Sequence, residues 1–201
     1  MKYTEILQNI KEPIFSLQDL AMLGQKVIPS QISEMAKKGD LIRLKNGIYA
    51  ISSRQNEISM EHVAFRLYSP SYVSLEWAMH KHGLMPDVPF NVTSVSPKPT
   101  RAFKNGKGTF FYRSIKRDYF FGYEKKEDRA GQPYLLAEPE KALLDYFYFN
   151  LPSLKTKGDI EGLRLNPFTL KELDVKKIGS YSKMFNNKSL DYLVLCLLQI
   201  K

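Results

Sequence analysis

Between residues 14 and 51 the apolar positions change period, from a helical spacing to an alternating one. Ile14 and Phe15 lead into Ser16, with Asp19 three residues on. That is a capping-box start for a helix carrying Leu17, Leu20, Ala21 and Leu23, which Gly24 ends. A second start, Ile28-Pro29-Ser30, predicts a helix with Ile32, Met35 and Ala36 on one face, stopped at Gly39. Residues 40–51 then read as a hairpin turned by Asn46-Gly47, a pair that tolerates the positive φ angles of a tight turn. Helix, turn, helix and a two-stranded wing is the plan of a winged-helix DNA-binding domain.

Upstream, residues 3–11 space Ile6, Leu7 and Ile10 as one side of a helix that would complete a three-helix core. Polar residues 52–56 read as a linker, which divides the chain into a domain over 1–55 and a second over 56–201. The second opens with helical spacing at Met60, Val63, Ala64 and Leu67, and again over 71–82. Residues 90–95 and 109–112 alternate or are aromatic and predict strands, and 119–123 predicts another, followed by a charged loop to Gly131. Between the first two strands, 97–108 is basic and turn-rich. Glu138-Pro139-Glu140 starts a helix with Ala142, Leu143, Tyr146 and Phe147 on one face. Residues from 151 onward read as helical, broken at Pro152, Gly158, Gly162, Pro167 and Gly179. The fold class is α+β: an N-terminal winged helix-turn-helix domain, then a larger mixed domain of helices around a small sheet.

Charge sharpens the picture. The 201 residues carry 30 Lys and Arg against 21 acids, a formal charge of +9 that favours a polyanionic partner. The excess is spread along the chain, since residues 59–150 hold 13 basic residues against 10 acids. A single cysteine, Cys196, sits in an apolar run and reads as a buried small hydrophobe, which excludes an internal disulfide. Lys2, Glu5 and Lys11 interrupt the N-terminus where a secretory h-region would lie, and the apolar run near residue 195 is far shorter than a membrane span. The expectation is a cytoplasmic protein without a membrane partner.

In a winged helix the second helix enters the major groove. With Ile32, Met35 and Ala36 inward, the outward residues are Ser30, Gln31, Ser33, Glu34, Lys37 and Lys38. Gln31 is suited to adenine, Glu34 to cytosine, and the serines to bases or phosphates. Lys37, Lys38, Arg43 and Lys45 are suited to phosphates, with Asn46 at the wing tip. A second basic patch comprises Lys98, Arg101, Lys104, Lys107, Arg113, Lys116 and Arg117, with no acid between Asp87 and Asp118. Phe103, Phe110, Phe111 and Tyr112 are interleaved with it. Such a stretch either grips nucleic acid by stacking or turns its rings inward beneath a solvated cationic face. Catalytic constellations are thin. His80 and His82 lie two apart, a poor zinc geometry, and Glu138, Glu140 and Asp145 on one helix are the nearest thing to a carboxylate site. No Gly-rich phosphate loop or nucleophile elbow occurs, so neither an enzyme nor a cofactor is expected.

Three segments in order carry a resemblance. Residues 39–49 (GDLIRLKNGIY), 72–84 (YVSLEWAMHKHGL) and 137–145 (AEPEKALLD) look like the AbiEi family, antitoxins and transcriptional regulators of type IV abortive-infection toxin–antitoxin systems. The likeness covers about residues 1–150. It implies a winged helix that binds inverted repeats in double-stranded promoter DNA and represses its own operon. It also implies a larger domain needed for antitoxicity, acting against a nucleotidyltransferase-like toxin without a stable complex. The competing readings are an accessory or nuclease-type nucleic-acid enzyme component whose winged helix docks substrate, and an RNA-binding module using residues 98–117.

Overall fold

The computed structural model describes residues 10–24 and 28–200. It is an α+β fold with two sheets, the smaller of which contributes residues to the core of the larger unit. The helix expected over residues 3–11 lies outside the described residues, except for Ile10 and Lys11, which are not helical.

The N-terminal part runs β1 (Ile14–Ser16), α1 (Leu17–Met22), α2 (Pro29–Lys38), β2 (Leu41–Lys45) and β3 (Ile48–Ile51). The three strands form an antiparallel sheet in the order β1-β3-β2. α1 starts on the expected capping box, with Asp19 N–H donating to Ser16 Oγ at 3.0 Å and Ser16 N–H to the Asp19 carboxylate at 2.7 Å. α2 takes Pro29 at its first turn, where the missing N–H costs nothing, and ends at Gly39 with φ +85°. At the hairpin only Gly47 has positive φ (+79°), and the β2–β3 register slips between Arg43 and Lys45. The turn is therefore bulged rather than built on two positive φ values.

Because side chains alternate along a strand, this small sheet is buried on both faces. Phe15, Leu41, Tyr49 and Ile51 pack with Leu20 of α1 and Ile32 of α2. Ile14, Leu44 and Ala50 face the other way and belong to the larger core.

The polar stretch after β3 is a 310 turn, Ser52–Glu57, pinned by Arg54, which pairs with Glu57 at 2.6 Å and reaches the Ile10 carbonyl at 3.4 Å. Beyond it come α3 (Met60–Leu67), β4 (Tyr72–Val73), α4 (Leu75–Lys81), β5 (Val92–Ser96), β6 (Arg101–Asn105), β7 (Gly108–Ser114), β8 (Tyr123–Glu127) and β9 (Pro133–Ala137). The rest is helical: α5 (Pro139–Asn150), α6 (Lys157–Glu161), α7 (Pro167–Glu172), α8 (Val175–Phe185) and α9 (Lys188–Leu198). The strands form one mixed sheet, β6-β7-β5-β4-β9-β8. The register sets its two faces. Val73, Ser94 and Tyr112 lie on the side of α3, whose Ala64 carbonyl accepts from Tyr112 Oη at 2.7 Å. Tyr72, Val95 and Arg113 lie on the side of α5.

Several elements differ from the sequence expectation. Residues 72–73 form a strand at the centre of the sheet, not the first turn of a helix, because burial between β5 and β9 outweighs the helical spacing around them. The basic loop contains β6, and the charged loop contains β8; both are outer strands, whose exposed faces tolerate Lys and Glu. The strand expected over 119–123 does not form: Tyr119 closes a 310 turn begun at Arg117 and β8 starts only at Tyr123, while β9 lies in a stretch that the sequence pattern leaves unassigned. Gly158 and Gly179 lie inside α6 and α8 rather than breaking them. Cys196 is buried, as its apolar run suggests. Among the described residues no helix is long and apolar enough to cross a membrane.

Candidate nucleic-acid interface

α2 is anchored by Ile32, fully buried, and by half-buried Met35 and Ala36. The 3.6-residue period then turns Ser30, Ser33, Glu34, Lys37 and Lys38 toward the open side of the helix. Ser30, Ser33, Lys37 and Lys38 are exposed. Gln31 is half-buried, so it flanks the open face rather than leading it. Lys37 and Lys38 occupy the last turn, where cations complement the helix dipole. At the hairpin tip Arg43 Nη2 donates to Asn46 Oδ1 at 2.5 Å and both residues are exposed. The Gly47 carbonyl accepts the Leu17 N–H at 2.9 Å and joins the tip to the start of α1.

Lys45 behaves differently from the expectation that it contacts phosphate. Its ammonium turns inward, donates to the Leu67 carbonyl, and lies 5.7 Å from the centre of the Phe103 ring. Burial lowers its pKa, and the nearby charges of Lys98 and Arg101 lower it further. Lys45 is thus a tether between the hairpin and the large sheet. Asn105 reciprocates, with its side-chain N–H donating to the Leu44 carbonyl at 3.1 Å, and Lys107 Nζ reaches the Gln55 carbonyl at 3.2 Å. At Gly106 an added Cβ would sit 3.3 Å from Ile42, so the β6–β7 turn lies close against β2.

The second basic patch is divided by the alternation of β6 and β7. Lys98 and Arg101 gather with Lys45 around Tyr68, at 5.5 and 5.8 Å from its ring centre. Lys104 is exposed on β6. Arg113 lies 4.8 Å over Phe149, and Lys116 lies 5.6 Å over Tyr119. Arg117 is exposed at the 310 turn. Of the interleaved rings, Phe110 and Tyr112 are buried, Phe103 is half-buried against Tyr68 and Tyr112, and Phe111 is partly open at 39%. Most of the rings are therefore core, which leaves little aromatic surface on which a single strand would stack.

Glu138 and Glu140 converge on Lys177, at 2.9 and 3.8 Å, and Asp145 stands apart from them. Glu138 also accepts from Tyr181 Oη, while Glu140 accepts the Asp174 N–H at 3.0 Å. Asp145 is fully buried and ion-paired with Lys141, one helical turn back. It also accepts Tyr72 Oη at 2.9 Å and Ser74 Oγ at 2.8 Å. Burial raises the Asp145 pKa and lowers that of Lys141, and their mutual attraction opposes both shifts. Three rings, of Tyr72, Phe121 and Phe185, lie within 5.5 Å of the Lys141 ammonium. Sequence reasoning misses this closed cluster, although Lys141 and Asp145 four apart on a helix are the signal for such a pair. His80 and His82 engage the Met85 and Ala137 carbonyls separately, and no group among the described residues would hold a metal ion.

No model of a known protein family matches the chain, and neither does any curated protein.

Proposed function

We propose that the chain is a sequence-specific DNA-binding protein whose N-terminal unit acts as a winged helix. α2 enters the major groove with Ser30, Ser33, Lys37 and Lys38 toward it and Gln31 at its edge. Arg43 and Asn46 on the hairpin meet the backbone or minor groove. The observations that carry this reading are the open polar and basic face of α2, on a helix whose other face is anchored in the small core, and the exposed Arg43 and Asn46 on the hairpin that follows it. Arg101 and Lys104 extend the cationic surface from the hairpin onto β6, in keeping with a charge of +9.

The AbiEi-like segments support the biological role. In this reading the protein represses its own operon at inverted repeats and serves as the antitoxin of a type IV system, countering a nucleotidyltransferase-like toxin without a stable complex. Footprinting the purified protein on the DNA upstream of its own gene tests the first half. Protection of an inverted repeat is expected, and uniform, sequence-independent binding would overturn it. Rescue of cells expressing the neighbouring toxin tests the second.

A further inference from the structure

The 310 turn at Arg117 and the chain around Pro70 and Pro97 border a half-open cavity of about 450 Å3, lined by Pro70, Pro97, Lys98, Arg117 and Phe120. Its chemistry is one-sided: two cations, two prolines and an aromatic ring, with no carboxylate in the wall. Both halves of the wall are fixed. Ser96 is fully buried, donates its hydroxyl to the Pro70 carbonyl at 2.7 Å and accepts the Lys98 N–H at 3.2 Å, which ties the two prolyl segments together. Opposite them, Phe120 N–H closes on the Arg117 carbonyl at 3.0 Å, and the Phe120 ring packs on Tyr72 and Tyr123 at 5.0 and 5.1 Å.

The two cations are available. Lys98 Nζ spends one donor on the Ser69 carbonyl at 2.6 Å and keeps two. None of the ion pairs among the described residues involves Lys98 or Arg117. The volume lies within the range of small-molecule sites, ~300–1,000 Å3, and is larger than a bare phosphate needs. Two cations at an apolar, ring-walled cavity select an anion that carries a flat apolar body.

We infer that this cavity binds a nucleoside phosphate, its phosphate held by Lys98 and Arg117 and its base against Phe120 and the prolines. The ligand is either a free nucleotide or the phosphorylated end of a strand. The inference does not depend on operator binding, because no residue of α2 or the hairpin lines the cavity, although Lys98 stands in one cationic cluster with Arg101.

Calorimetric titration of the full chain with AMP, adenosine, inorganic phosphate, and a trinucleotide with or without a 5′-phosphate is the test. AMP is expected to bind at one site, with adenosine and inorganic phosphate each much weaker. Arg117→Gln is expected to lower AMP affinity about tenfold, as removal of a charge-assisted hydrogen bond does. Lys98→Gln is a second variant with the same expectation, and a melting curve of each verifies its fold. Tighter binding of the 5′-phosphorylated trinucleotide than of AMP assigns a strand end, and the reverse order assigns a free nucleotide. Inorganic phosphate binding as well as AMP, or wild-type AMP affinity in both variants, overturns the proposal. No duplex is present in the assay, so its failure and that of the operator reading are separable.

Discussion

Asp19 shows how one side chain serves two levels of structure. Partial burial pushes its carboxyl pKa up, but the Ser16 N–H and Arg66 outweigh that and hold it below the ordinary range. It closes the capping box of α1 and reaches Arg66 of α3 at 2.6 Å. Since its folded-state pKa is depressed, its stabilisation is complete above the unfolded value of about 3.9 and fades as pH falls through the lower folded value. Asp19→Asn is therefore expected to lower the melting temperature at pH 7 and to remove part of the acid-side loss, measured by melting at pH 7 and pH 3. Gly47 sets a second expectation. A Cβ there meets nothing within 4 Å, so only its φ of +79° resists substitution. Gly47→Val should cost about 1–2 kcal/mol through backbone strain alone, and Gly47→Asn less, because Asn tolerates left-handed φ. Comparing the two by chemical denaturation checks this, and weaker operator binding by the valine variant would tie the turn to DNA recognition.

Helices with strong end signals are legible in the sequence and outer strands are not. α2 can be read residue by residue because Pro29, the Ile32–Met35–Ala36 face and Gly39 all agree. β6 and β8 are hidden by Arg101, Lys104, Lys125 and Lys126, which resemble a solvated loop until the neighbouring strand is known. The inward turn of Lys45 is likewise illegible, since its acceptor is a main-chain carbonyl 22 residues away with no side-chain signature. At α5 the buried pair makes a sharp test. Lys141→Met alone leaves Asp145 charged and buried, and should cost about 3–5 kcal/mol in a denaturant titration. Adding Asp145→Asn removes the stranded charge while keeping an oxygen for the Tyr72 and Ser74 hydroxyls, so the double variant should recover part of that loss.

Across the whole molecule, the basic surface is expected to act in proportion to the phosphates it meets. Arg101→Gln with Lys104→Gln should weaken operator binding and flatten the log–log salt dependence by up to about 0.9 for each phosphate left unneutralised. An unchanged slope in a gel-shift series from low to moderate salt would confine the interface to α2 and the hairpin. Lys107 stays unchanged in that variant so that its bond to the Gln55 carbonyl across the seam is kept.

The seam between the two sheets has a consequence for how such a protein changes over time. Lys45, Asn105 and Lys107 each cross it to grasp a peptide oxygen, at Leu67, Leu44 and Gln55 respectively. Peptide oxygens are the same whatever side chain accompanies them. These three bonds thus place no demand on the acceptors' side chains, of which Leu44 and Leu67 are held by the core instead, whereas each donor is fixed by the bond it makes. Under the proposed function, a joint of this kind would let the exposed residues of α2 and the hairpin be exchanged for another set without redesigning the body that carries them.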